Sequence, residues 1–352
     1  MFVVNGRFLS QKPTGIHRYA FEICNQLQKI GADFYVAAPH DINPDYKFEF
    51  KVVKCGSLKG HLWEQISLAQ FLRKQGNPLL VSFSGCGPLT YKNQIITIHD
   101  VSHERHPEWF SKNYWRYYGY MMPRISRKAH AVITVSEYSK REIMDVLKVP
   151  EEKLNVVNCS IPTYHTQESS SGDASTVLGN DRYILSVSSL DPRKNFHRLI
   201  EAFNNIDDKT LKLYIVGMQF KAFNTPDLKK LIGDNVILPG YVDDDTLKTL
   251  YHNALFSVYP SLYEGFGIPP LESMVCECPV IGSKIEAIEE VCGDAVLYVD
   301  PYDVSDITKK MNMLINNPDL RNDLKEKGLK QVKKYSWEKS ARKVLDLIEK
   351  YN

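Results

Sequence analysis

"LFSVYPSLYEGFGIPPLESMV", residues 255–275, holds the fold's repeating piece in miniature. An apolar run of strand character meets a turn containing Gly265 and Gly267, and the prolines that follow suit the first turn of a helix. A strand entering a helix through such a turn is the unit of a parallel α/β sheet. The turn also carries chemistry. Its glycines let the backbone bend tightly and approach a ligand, and free N–H groups at the helix start favour a phosphate. Glu264 and Glu272 flank it. Carboxylates beside a phosphate repel it unless they point elsewhere, and what they accept well is hydrogen bonds from hydroxyl groups. A phosphate cradle next to hydroxyl acceptors describes a site for a sugar nucleotide. Glu272, read as lying in the helix's first turn, would equally suit the helix dipole. Spacing alone leaves both readings open.

The same alternation runs through the chain. Short apolar runs at 33–38, 51–55, 79–83, 95–98 and 131–135 follow an opening strand in "MFVVNGRFLS". The first intervening helix is "TGIHRYAFEICNQLQKIG", with Ile16, Tyr19, Ala20, Ile23, Leu27 and Ile30 at helical spacing, Thr14 as N-cap and Gly31 at the end. A second series follows: "RYILSVS", "KLYIVG", "NVILPGY", "LFSVYPS", "PVIGS" and "AVLYVD". Between the series lies the polar, Ser-rich stretch 163–181, which reads as a linker or boundary loop. At 352 residues the chain exceeds the usual limit of a single core, roughly 250 to 300 residues. The expected architecture is α/β, two doubly wound Rossmann-like domains facing across a cleft. Residues 1–165 form the first and 176–334 the second, and the amphipathic helix at 335–352 packs back on the first.

Composition is that of a globular protein, 43% hydrophobic and 24% charged, with no run near the roughly 20 apolar residues that span a bilayer. The N-terminus lacks the features of a signal peptide, so a cytoplasmic location is expected. Seven scattered cysteines read as reduced thiols. Net charge is +2, but residues 1–170 hold 21 basic against 15 acidic residues, so this half is the one to meet an anionic partner. Within it, "WFSKNYWRYYGYMMPRISRKAH" at 109–130 has five basic residues, seven aromatics and no acid. It reads either as a helix with buried aromatics and a solvated basic face, or as a peripheral contact with an anionic membrane, which sedimentation with anionic liposomes tests. No nucleic-acid partner is expected.

Glu264 and Glu272, with seven residues between them in "EGFGIPPLE", form an E-x7-E pattern. With "TGIHRYAFEI", "TIHDVSHERHPEWFS", "ITVSEYSKREI", "DPRKNFHRLIEAF" and "LPGYVDDDTLKTLY", all in order, the chain resembles the retaining glycosyltransferases of family 4, of GT-B fold. It looks most like those that build bacterial surface polysaccharides, mannosyltransferases among them. The resemblance implies a role for each matching residue. Glu264 contacts the donor sugar's hydroxyls and Glu272 the ribose, while Arg193 and Lys194 bind the diphosphate. Gly15 lies near the diphosphate from the first domain. Gly265, Phe266 and Gly267 line the donor site, Tyr241 and Val242 meet the base, and His99 stands near donor sugar and acceptor as a positioning or polarising group. The implied partners are a sugar-nucleotide donor and a glycan or lipid-linked oligosaccharide acceptor, with GDP-mannose the expected donor and UDP- or dTDP-sugars the alternative.

Some positions depart from the family's pattern. Ser188 and Ser189 stand where many relatives have Gly-Arg, so Ser189 supplies a hydroxyl or backbone contact to phosphate. His17 replaces a common Gly, and "VVNCSIP" replaces a frequent Asn-Gly-Val.

Retention requires either a covalent nucleophile or departure and attack on one face. With both Glu residues committed to hydroxyls, same-face substitution is expected, the leaving phosphate taking the acceptor's proton while Arg193 and Lys194 stabilise it. No metal or other cofactor is expected. The run Asp243, Asp244, Asp245 reads as a helix cap, and "CECP" at 276–279 lacks two further ligands. Among rivals, an NAD-dependent dehydrogenase lacks its Gly-x-Gly-x-x-Gly fingerprint. A non-catalytic sugar-nucleotide scaffold is disfavoured because Glu264, Glu272 and Lys194 are all present.

Overall fold

The structure, a computed structural model, describes residues 1–166, 181–217 and 231–352. The polar stretch expected as a linker falls largely on 167–180, outside those residues. Contacts divide the described chain into two compact units.

The first unit comprises Met1–Arg105, Trp115–Cys159 and Ser336–Asn352. Its sheet contains β1 (Phe2–Asn5), β2 (Phe34–Ala38), β3 (Val52–Lys54), β4 (Leu80–Ser82), β5 (Gln94–Thr97), β6 (Ala131–Thr134) and β7 (Leu154–Val156). Their order is β3-β2-β1-β4-β5-β6-β7, and every pairing is parallel. Val3, Val4, Val36, Leu80, Val81, Ile95 and Ile133 are fully buried. Sheets covered on both faces demand such continuous apolar runs, which is why these strands were legible as blocks.

Helix α1 (Gly15–Lys29) buries Tyr19, Ala20, Ile23, Cys24 and Leu27. Thr14 occupies the N-cap, but its hydroxyl pairs with His17 Nδ1 at 3.0 Å and makes no capping bond to a backbone N–H. Gly31, at φ +76°, follows the last turn. Helix α2 (Lys112–Lys128) buries Met121 and Ile125 against Ile96 and Val132. Its Trp115 and Tyr120 remain exposed, with the Arg124 guanidinium 3.7 Å from the Tyr120 ring centre. The basic aromatic run is therefore only partly absorbed by the core.

The second unit comprises His106–Tyr114 and Ser160–Tyr335. Strands β8 (Tyr183–Val187), β9 (Lys212–Val216), β10 (Val236–Gly240), β11 (Ser257–Tyr259), β12 (Val280–Ser283) and β13 (Val296–Val299) lie in the order β10-β9-β8-β11-β12-β13, again all parallel. Three helices matter for the site: α3 (Phe196–Asn204), α4 (Asp244–Asn253) and α5 (Ile268–Val275). Gly217 ends β9 where a Cβ would lie 1.7 Å from the Ser188 carbonyl oxygen. Only glycine lets the two strand ends approach so closely.

The last helix, α6 (Trp337–Glu349), returns to the first unit and packs on α1. The Trp337 and Tyr19 rings lie 5.7 Å apart, and the Ser340 hydroxyl donates to the Asn158 carbonyl at 2.7 Å.

Candidate active site

Strand order reverses between β8 and β11 in the second unit. Ligands of doubly wound sheets bind outside the carboxyl ends of the strands at such a point. Both loops leaving these strands carry the charged residues singled out from the sequence. After β8, Asp191 begins a short turn, Pro192–Lys194, that presents Arg193 and Lys194. After β11, the chain runs through Ser261 and Glu264 into Gly267, which sits at φ +105° as the N-cap of α5.

Backbone and side-chain bonds fasten the two loops together. Leu262 N donates to the Arg193 carbonyl at 2.7 Å. Asn195, held in the left-handed region at φ 60°, donates from its amide to the carbonyls of Pro260 at 2.9 Å and Pro301 at 2.6 Å. A non-glycine residue in that conformation is strained unless such bonds fix it. Arg193 and Lys194 are thereby set on a rigid turn.

At its centre, Lys194 Nζ donates to Glu264 Oε1 at 2.6 Å, with 9% and 13% of their side chains exposed. Burial pushes the Glu264 pKa up, but Lys194, Arg193 and a hydrogen bond from Ser261 outweigh it and hold it below its ordinary 4.5. Glu264 is an anion at neutral pH. A folded-state pKa below the unfolded one contributes stability above the unfolded value, and this is lost as pH falls through the folded pKa. The stability difference between the wild type and Glu264→Gln is expected to shrink steadily below about pH 4.5 in urea titrations. A difference independent of pH from 6 to 3 would show the carboxylate's ionisation to be immaterial.

Arg193 and Ser189 share one buried partner. Asp191 Oδ1 accepts from Arg193 Nε at 3.2 Å, and Oδ2 from the Ser189 hydroxyl at 2.6 Å. The Ser189 proton is thus committed, leaving its oxygen lone pairs and backbone for other contacts.

Glu272 lies in the second turn of α5, because the helix begins at Ile268; no acid occupies its first turn. The dipole reading of Glu272 loses its basis. Its Oε2 accepts from the Tyr251 hydroxyl at 3.1 Å, and its side chain is 8% exposed. Pro269 and Pro270 remove two donors from the start of α5, so N–H groups there come from the turn and from Ile268. The Phe266 ring is buried 5.3 Å from the Tyr335 ring, which makes it part of the core and leaves its backbone to face the turn. Tyr241 and Val242 follow β10, with Tyr241 61% exposed. Asp243 caps α4, accepting from Thr246 N at 2.8 Å and its hydroxyl at 3.0 Å, as expected from the sequence.

In the first unit, His99 follows β5 and donates from Nε2 to the Phe83 carbonyl at 3.0 Å. Burial lowers its pKa, so the ring is neutral with its Nδ1 lone pair directed away from that bond. Gly15 is exposed at the first position of α1. His17 bonds the Lys12 carbonyl at 2.9 Å, and burial lowers its pKa to about 4.

Comparison with known proteins agrees with the fold. Residues 13–165 match the model described as Glycosyltransferase Family 4, and residues 172–331 the model described as Glycosyl transferases group 1. Two parallel-sheet Rossmann-like domains of this kind define the GT-B glycosyltransferase fold, and the chain belongs to the family 4 glycosyltransferases. It is 29% identical over 261 residues to O-antigen chain mannosyltransferase B of Escherichia coli, covering 71% of this chain and 68% of that protein. It is 29% identical over 320 residues to O-antigen chain mannosyltransferase RfbU of Salmonella typhimurium, covering 86% and 87%. In fold it is similar to Anabaena HepE, solved in complex with UDP-glucose, with a TM-score of 0.74 at 15% identity over 99% of both chains.

Proposed function

We propose that this glycosyltransferase moves mannose from GDP-mannose to a glycan or lipid-linked acceptor during bacterial surface polysaccharide synthesis. The observation that carries the reading is the buried Lys194–Glu264 pair at the β8/β11 switch point, with Glu272 on the helix that follows. A cation beside two carboxylates suits a ligand that brings both phosphate and hydroxyl groups. The O-antigen mannosyltransferase relatives support mannose and a polysaccharide acceptor, and HepE supports a nucleoside diphosphate sugar as donor.

In this reading the donor diphosphate enters beside Lys194 and Arg193, and Lys194 is shared between phosphate and Glu264. Charge develops on the phosphate as the glycosidic bond breaks, so fixed cations act where the transition state needs them. The phosphate oxygen takes the acceptor hydroxyl's proton on the face it leaves, giving retention. Glu264 holds sugar hydroxyls, Glu272 the ribose, and no step calls for a metal.

A thermal-shift screen of GDP-mannose, UDP-sugars and dTDP-sugars in EDTA tests the donor. Ligand at about 100 times its dissociation constant adds roughly 2.7 kcal/mol of stability. The expected result is a clear shift with GDP-mannose, abolished in Glu272→Ala. A shift with UDP- or dTDP-sugars alone would replace the donor, and none at all would favour a sugar-nucleotide scaffold that does not bind unaided.

A further inference from the structure

The two oxygens of Glu272 meet different surroundings. Oε2 ends a relay: Tyr259 donates to the Tyr251 hydroxyl at 3.1 Å, and Tyr251 donates to Glu272, also at 3.1 Å. The relay is rooted in the core, where the Tyr259 hydroxyl meets Ser273 Oγ at 3.0 Å and Ser273 meets Ser257 at 2.8 Å. Hydrogen bonds in series polarise one another and hold their members in one geometry. On the other side, Oε1 faces His165 Nε2 at 3.8 Å, within ion-pair distance but beyond a hydrogen bond.

His165 comes from a short turn, Thr163–Thr166, distant in sequence from α5. Its ring has no solvent exposure and packs 5.9 Å from the Tyr251 ring. Its other nitrogen, Nδ1, lies 3.4 Å from the Cys276 sulfur, at the C-cap of α5. Burial and the nearby Glu272 push the Cys276 thiol up to about 12, so sulfur keeps its proton and is a donor. A carboxylate only accepts, so the imidazole proton belongs on Nε2 facing Glu272, and the Nδ1 lone pair accepts a hydrogen bond from the Cys276 thiol.

We propose that His165 is a positioning residue for Glu272: locked by Cys276, it sets the direction of Oε1 while the tyrosine relay fixes Oε2, presenting the carboxylate to the hydroxyls of the donor's ribose. The inference rests on the donor reading above. A carboxylate accepts from a vicinal diol best when the orientation of its plane is fixed, and one held at a single oxygen can rotate about its Cγ–Cδ bond. Since His165 precedes the second unit's sheet, the arrangement also ties that entering segment to the nucleotide site. Such a role predicts an effect on nucleotide affinity more than on turnover.

The test compares His165→Phe, which keeps a ring but no donor, with His165→Gln, whose amide nitrogen reaches the place of Nε2. Isothermal titration with GDP, UDP and dTDP is combined with kcat, KM and melting temperature. His165→Phe is expected to weaken the preferred nucleotide about 10-fold with kcat changed less than about threefold, and His165→Gln to restore most of that loss. Equal affinity in wild type and His165→Phe would overturn the proposal while leaving the donor reading intact. So would equal weakening in both variants, since that marks a packing role. Wild-type protein that binds none of the three nucleotides would overturn the donor reading and this inference with it.

Discussion

Lys194→Ala lowers the rate of sugar transfer at saturating donor by at least about 100-fold, as the loss of one charge-stabilising group at a developing anion typically does. The size follows from where the ammonium sits. Lys194 is 9% exposed and held 2.6 Å from Glu264 on a turn fixed by Asn195 and Leu262, so its charge acts with little solvent screening and no reorganisation. The substitution also leaves Glu264 buried beside a lost partner, which destabilises the protein independently of catalysis. Assaying Lys194→Ala at a temperature where its circular dichroism and urea titration show it fully folded separates the two effects. If the folded variant still loses transfer, the loss is catalytic. Wild-type turnover in Lys194→Ala would sink the assignment.

Glu64→Ala destabilises the protein by about 3–5 kcal/mol, the usual cost of breaking a buried ion pair from one side. Glu64 is fully buried in the first unit and Arg7 nearly so, their charges 3.0 Å apart. Glu64 Oε1 also accepts from Asn5 at 2.8 Å and Gly87 N at 3.3 Å. Burial opposes the charge on Arg7, and Glu64 together with its other neighbours outweighs it; because a guanidinium does not give up its proton in proteins, Arg7 stays charged when its partner goes. Urea unfolding measures the loss, and Arg7→Met/Glu64→Leu is expected to recover most of it, because removing both charges removes the desolvation cost. A loss under about 1 kcal/mol in Glu64→Ala would mean that water reaches Arg7.

Among the described residues, twelve of the thirteen strands were legible because each holds adjacent apolar residues, most of them in fully buried strands and some, such as Val52 and Val53 of β3, in a half-buried one. The thirteenth, β7, has three residues with the polar Asn155 between Leu154 and Val156, so it offered no run to read. Glu264 and Lys194 were legible as residues but not as partners, since a contact across 70 positions leaves no local pattern. The helix starts at Ile268, as its prolines indicate, but Glu272 is its fifth residue and so falls in the second turn, where the sequence reading had it in the first. His165 was invisible for a different reason: it stands in a polar stretch that read as linker, and only the fold brings it to Cys276 and Glu272. Likewise, nothing in "HPEWFSKNY" signals that His106–Tyr114 groups with the second unit, where the His106 ring stacks on Trp109 at 3.8 Å and meets Tyr263 at 5.9 Å.

The central claim is that the loops leaving β8 and β11 hold the donor's diphosphate and sugar. Amide hydrogen exchange followed by mass spectrometry, with and without the nucleotide that stabilises the protein, tests it at the level of segments. Slowed exchange concentrated in 188–195 and 260–275, and absent in Glu272→Ala, is the result expected. Protection confined to other segments, with these two unchanged by a nucleotide that demonstrably binds, would contradict it.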